Sequence, residues 1–148
     1  MKKLLLLPFL SLAAWGQMTM QLAPLQPRSP ESTVLKVLGP PTSKTAPKES
    51  AASGYLMSDW SYPGLQLSMA KDTGSFHVEG FRLKAPCKLR TKEGIGIGSS
   101  ESELTRAYPQ AKKSGSVYSW LDEKAYQMNM LTVKAGKVVE IASFPGPE

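Results

Sequence analysis

His77 and Cys87 are the only histidine and the only cysteine among 148 residues, so they are the one thiol and imidazole pair this chain can form and its candidate reactive pair. The two fall on neighbouring expected strands, which permits contact without requiring it. A histidine on the solvent face of a strand is the plainer reading. A metal centre has less support, because no second His or Cys exists and isolated carboxylates do not build a zinc site. Gly94-x-Gly-x-Gly98 precedes an expected helix, and bare backbone amides at such a place can cradle a phosphate. The run lacks the Lys-Ser/Thr of a nucleotide loop and the later acidic residue of a dinucleotide site. Its alternation with Ile95 and Ile97 points instead to an extended segment anchored in the core. No metal and no cofactor are expected.

Two aromatic pairs, Trp60-x-Tyr62 and Tyr118-x-Trp120, are the candidate binding residues. Spacing of two puts each pair on one face of a strand. They serve either as anchors of a binding surface or as the largest groups of a small core, and the sequence leaves both open. Lys88, Arg90 and Lys92 alternate as well, beside Lys84 and ahead of Lys112 and Lys113. Such a cationic face suits an anionic surface polymer, and alternating charge also guards a sheet edge against unwanted pairing. No aromatic-basic nucleic-acid module accompanies it, so no nucleic-acid partner is expected.

The elements that must position these residues follow from periodicity. Ser29 and Pro30 open a helix whose apolar face is Val34, Leu35, Val37 and Leu38, and Gly39 with Pro40-Pro41 ends it. A polar stretch, 42–53, reads as a loop. The period then changes toward two: strands over 55–62, 65–70 and 75–83 are joined by turns at Pro63-Gly64 and Asp72 to Gly74. The order recurs. Ser100-x-x-Glu103 is a capping box before Leu104, Ala107 and Tyr108. Strands over 117–121, 126–130 and 138–143 follow, with turns at Asp122 to Lys124 and Ala135-Gly136. Superposing the halves sets Trp60-x-Tyr62 on Tyr118-x-Trp120, Val78-x-x-Phe81 on Val138-x-x-Ile141, and Leu65/Leu67/Met69 on Tyr126/Met128/Met130. The expected fold is α+β: two repeated units, each a short helix packed on an antiparallel three-stranded meander.

Composition sets the compartment. Lys2 and Lys3 precede an apolar run from Leu4 to Trp15, with Ala14 and Gly16 at the positions a signal peptidase reads, so 1–16 is expected to be a secretory signal. The run is shorter than the roughly 20 residues of a spanning helix, and no transmembrane segment is expected in the mature chain. Two of the 18 basic residues lie in the signal, leaving 16 against 12 acidic ones. About 132 residues then remain, which excludes a large multidomain enzyme, and a single cysteine excludes an intramolecular disulfide. The expected division is signal 1–16, extended lead-in 17–28, first unit 29–91 and second unit 92–148.

The second half, with Gly94-Ile95-Gly96-Ile97-Gly98-Ser99-Ser100-Glu101-Ser102-Glu103-Leu104, Tyr118-Ser119-Trp120 and Gly136-Lys137-Val138-Val139-Glu140-Ile141, resembles the small helix-plus-sheet repeats of bacterial envelope proteins. These are the SmpA/OmlA-like domains and the beta-lactamase-inhibitor-protein-like tandem repeats. The resemblance implies helices layered over an antiparallel sheet, no catalytic centre, and binding through the open sheet face or hairpin loops. The inhibitor relatives use disulfides and the assembly lipoproteins begin at a lipidated cysteine; this chain departs from both, so only architecture carries over. The expected function is an exported, non-enzymatic binding or interaction module of the cell envelope, periplasmic or secreted, whose partner is another envelope or secreted protein or an anionic surface polymer. The alternative is a small secreted hydrolase, or an inhibitor of one, with His77 and Cys87 as the reactive pair.

Overall fold

The computed structural model describes residues 20–25 and 28–147, so the expected signal segment lies outside the described residues. Eleven strands and two helices run in the order β1 (Leu22–Ala23), α1 (Glu31–Leu38), β2 (Ser43–Lys44), β3 (Lys48–Glu49), β4 (Leu56–Tyr62), β5 (Leu65–Lys71), β6 (His77–Lys84), β7 (Arg90–Thr91), α2 (Glu101–Ala107), β8 (Lys112–Ser114), β9 (Val117–Asp122), β10 (Gln127–Lys134) and β11 (Lys137–Pro145). No helix among the described residues is long and apolar enough to cross a membrane.

The helices form where local signals are strongest. At α2 the Ser100 hydroxyl accepts from the Glu103 amide, and the Glu103 carboxylate accepts from the Ser100 amide, which completes the capping box. At α1 the N-cap is Pro30, without a side-chain cap bond, and Gly39 closes the helix at φ 73° by donating its amide to Leu35 O. Each helix is about two turns long and buries a single residue completely, Val34 in α1 and Leu104 in α2. Helices this short cannot carry the fold.

The sheet carries it instead, and this corrects the α+β expectation of two helix-packed repeated units. Strands make up 47% of the structure and helices 12%, so the fold is a sheet-rich antiparallel one. The two meanders, β4-β5-β6 and β9-β10-β11, are hydrogen-bonded to each other through β6 and β11. One nine-stranded sheet results, in the order β2-β4-β5-β6-β11-β10-β9-β8, with β3 also on β4. Pairing of Leu83 with Ile141 and of Phe81 with Ser143 makes the seam. The physical reason is that each meander ends on a strand with an unpaired edge, and joining the two edges satisfies both rows of backbone groups. The stretch 42–53, expected as a loop, contributes β2 and β3 to the outer edge of β4.

The chain entering each helix is tied to the start of a seam strand in the same way. Ser29 O accepts from Val78 N at 2.8 Å and Ser99 O from Val138 N at 2.8 Å; Glu31 N donates to Phe76 O and Glu101 N to Gly136 O. Each seam strand carries one bulge, opposite Ser68/Met69 and opposite Thr132/Val133. Of the lead-in, Met20, Leu22 and Leu25 are buried, and β1 pairs with β7.

Register fixes which face is which. Trp60, Leu67, Phe81, Ile141, Leu131 and Tyr118 share the inner face, where Val34 and Leu104 of the helices complete the core. On β10 the inner residues are Asn129, Leu131 and Val133, all buried. Met128 and Met130 stand on the other face, so the superposition of Leu65/Leu67/Met69 on Tyr126/Met128/Met130 is out by an odd number of residues. Both faces of β10 carry apolar side chains, and a buried polar residue, Asn129, disguises the inner one.

Candidate functional site

The candidate binding aromatics all stand on the inner face. Trp60 is 2% exposed, with the Lys44 ammonium 4.0 Å from its ring centroid. Tyr62 is half-buried, and its hydroxyl donates to Gly39 O at the end of α1, 3.0 Å away. Tyr118 is buried, donating its hydroxyl to Glu101 Oε1, which also accepts from Lys113 Nζ at 2.7 Å. These two donors hold the Glu101 carboxyl below the usual carboxylate range, and the carboxylate in turn raises both Lys113 and Tyr118. Trp120 stacks on Tyr108 with centroids 4.7 Å apart, and its buried indole N–H has no hydrogen-bond partner among the described residues. Burial pushes the Tyr108 hydroxyl far above the ordinary phenol range, where it lies 2.6 Å from Thr91 Oγ1 and 2.8 Å from Glu93 Oε2.

The reactive pair is not assembled. His77 begins β6 and Cys87 lies beyond its end, separated by a strand that spans about 23 Å at 3.3 Å per residue. His77 Nε2 instead meets Glu79 Oε2 at 3.0 Å. The glycine run does not offer a phosphate cradle, because its amides are taken: Gly94 N donates to Thr91 O, Gly96 N to Ser99 Oγ and Gly98 N to Val138 O. Ile95 is buried, as an anchored segment requires. Arg90 donates to Gly94 O, so the middle of the basic series is held against this loop.

The outer face of the sheet is where uncommitted side chains gather. One row crosses six strands as Ser61, Gln66, Arg82, Ala142, Met130 and Ser119, each paired with the next. The adjoining row holds Leu121, Met128 and Phe144 on β9, β10 and β11. Leu121 is 37% exposed, and Met128, Met130 and Phe144 are half-buried, whereas Ala70 and Ala142 are buried because they are small and flanked by larger neighbours. The face is thus divided. Its β9-β10-β11 half carries Leu121, Met128, Met130 and Phe144 beside Ser119 and Thr132, while its β4-β5 half carries Asp59, Ser61, Gln66 and Ser68 beside Met57 and Ala70, with Ser68 donating to Asp59 at 3.3 Å. Between them, Arg82 pairs with Glu140 across the seam at 2.7 Å. A Cβ at Gly80 would lie 2.7 Å from Ser143 O, so only glycine allows β6 and β11 to approach this closely beside Phe144.

An apolar, methionine-bearing surface on a rigid sheet can bind another macromolecule without any reacting group. Sequence reasoning superposed Met128 and Met130 on Leu67 and Met69, which stand on the opposite face of the sheet, and passed over Leu121 and Phe144. The available signal was the cross-strand register, which a single strand's alternation does not contain. No protein-family model, curated protein or solved structure matches this chain.

Proposed function

We propose that this chain is an exported binding module of the cell envelope that docks another envelope or secreted protein on the apolar half of its outer sheet face. The observation that carries this reading is the contiguous group Leu121, Met128, Met130 and Phe144, half-exposed on a face that neither helix among the described residues covers. Flexible thioethers suit such a face to re-packing against a partner, and the flanking Arg82–Glu140 pair supplies a polar rim. Export rests on Lys2, Lys3 and the apolar run that follows, and an N-terminus near Gln17 in protein from the native host is the expected mass-spectrometric result.

The test compares capture from envelope extract by the native chain and by Met130→Lys. A charge placed in the centre of a buried anchor group costs at least about 2 kcal/mol, roughly thirtyfold in affinity. The partner retained by the native chain should therefore be lost from the variant while the variant stays folded. Equal retention by both would remove the outer face from consideration.

A further inference from the structure

A second candidate site lies on the opposite side of the sheet and goes beyond the reading above. Between the lead-in segment and the inner face is a cavity of about 340 Å³. Leu25 of the lead-in, Leu67 of β5 and Phe81 of β6 give it apolar walls. At about 30 Å³ per water-sized group, it has room for about eleven such groups. The polar side chains that reach it from within are already satisfied: Ser143 donates to Asn129 Oδ1 at 2.8 Å, and Gln127 donates to Glu79 O at 3.2 Å.

Its rim is charged. Arg28 and Lys124 both line the cavity, and neither has a carboxylate within 4 Å among the described residues; Asp72, whose carboxyl the Thr73 amide holds below its usual range, also feels the charges of His77 and Arg28. Glu79, the acid on the lining, is engaged by His77 Nε2 at 3.0 Å. Lys124 is held in place by its hairpin, where Asp122 Oδ1 accepts from the Lys124 and Ala125 amides.

The backbone at Arg28 is the independent observation. Arg28 sits at φ 62°, in the left-handed region that favours glycine, and donates its amide to Val78 O. Gly98 makes the same bond to Val138 O at φ 92°, so the equivalent place ahead of α2 carries the residue that the geometry prefers. An arginine lines the cavity here at the cost of backbone strain that glycine would relieve.

We infer that this cavity binds a medium-chain alkyl carboxylate, of the size of an eight- to ten-carbon fatty acid. The carboxylate is held between Arg28 and Lys124, and the alkyl chain runs along Leu25, Leu67 and Phe81. Bidentate geometry makes the guanidinium the stronger of the two head-group contacts.

The experiment titrates the chain with decanoate below its micellar concentration, by calorimetry and by thermal melting, beside decanol and decyltrimethylammonium. Arg28→Gly removes the guanidinium and relaxes the backbone, so it folds with an equal or higher melting temperature. Lys124→Ala, on an exposed hairpin, is the second variant. The expected result is one-to-one binding of decanoate with a raised melting temperature, at least tenfold weaker binding by Arg28→Gly, several-fold weaker binding by Lys124→Ala, and at least tenfold weaker binding of decanol and the cationic amphiphile. Absence of decanoate binding, equal affinity in Arg28→Gly, or decanol binding as tightly as decanoate would each overturn the assignment. Outer-face variants such as Met130→Lys should bind decanoate normally, which separates this site from the protein-docking reading.

Discussion

Trp60 and Trp120 are both enclosed on the inner face, but their environments differ and so do the consequences of changing them. Trp60 is 2% exposed, lies in the core cluster and is capped by Lys44. Trp60→Ala should cost about 3 to 5 kcal/mol, measured by denaturant unfolding. Trp120 keeps an indole N–H buried without a partner among the described residues, a burden of about 1 to 3 kcal/mol. Trp120→Phe removes that donor while retaining a ring against Tyr108, so stability should change by no more than about 1 kcal/mol despite the lost volume. Glu101 offers a test by pH. Its carboxyl is held below the ordinary 4.5 by Lys113 and Tyr118. A depressed folded value means that the contribution is present above the unfolded pKa and is lost as pH falls through the folded one. Glu101→Gln should therefore melt lower than the native chain at pH 7, with the gap closing as pH falls below the ordinary carboxyl range and through the depressed folded value. A gap independent of pH would show that the Glu101 charge does not act through these contacts.

Elements were legible in the sequence wherever a local signal sufficed. Pro63-Gly64 and Ala135-Gly136 fill the β4-β5 and β10-β11 connections, and the Ser100/Glu103 capping box opens α2. Gly64 shows why its turn is fixed: at φ 70°, a Cβ there would lie 2.3 Å from Lys84 O. Pairing beyond the hairpins was not legible. The union of β6 with β11 joins residues about sixty positions apart, such as Leu83 and Ile141, and no local pattern encodes it. Which face of β10 turns inward was not legible for a related reason: Met128 and Met130 are as apolar as Leu131 and Val133, and only pairing with Tyr118 and Ile141 turns Leu131 inward. Adjacent residues therefore give a sharp test. Leu131→Lys, which buries an unpaired ammonium in the core, should cost more than about 4 kcal/mol or abolish folding. Met130→Lys should change stability by no more than about 1 kcal/mol, because its side chain has water within reach. Equal losses measured by chemical denaturation would contradict the face assignment.

At the scale of the whole molecule, both helices and the buried lead-in residues Met20, Leu22 and Leu25 lie in the core cluster of one sheet face. The described elements that cover the sheet lie on one side of it; on the other side the large apolar side chains Leu121, Met128, Met130 and Phe144 gather on the β9-β10-β11 half, with Met57 and Ala70 on the β4-β5 half. The aromatic pairs, read from sequence as either anchors or core, sit on the covered side. Site-specific photo-crosslinking in the native host tests this division most directly. A crosslinking residue at Met128 or Met130 should yield a discrete adduct with one envelope or secreted protein, while the same residue at Lys36, on exposed helix surface, should yield none. Adducts from Lys36 with none from the two methionine positions would contradict the outer-face account.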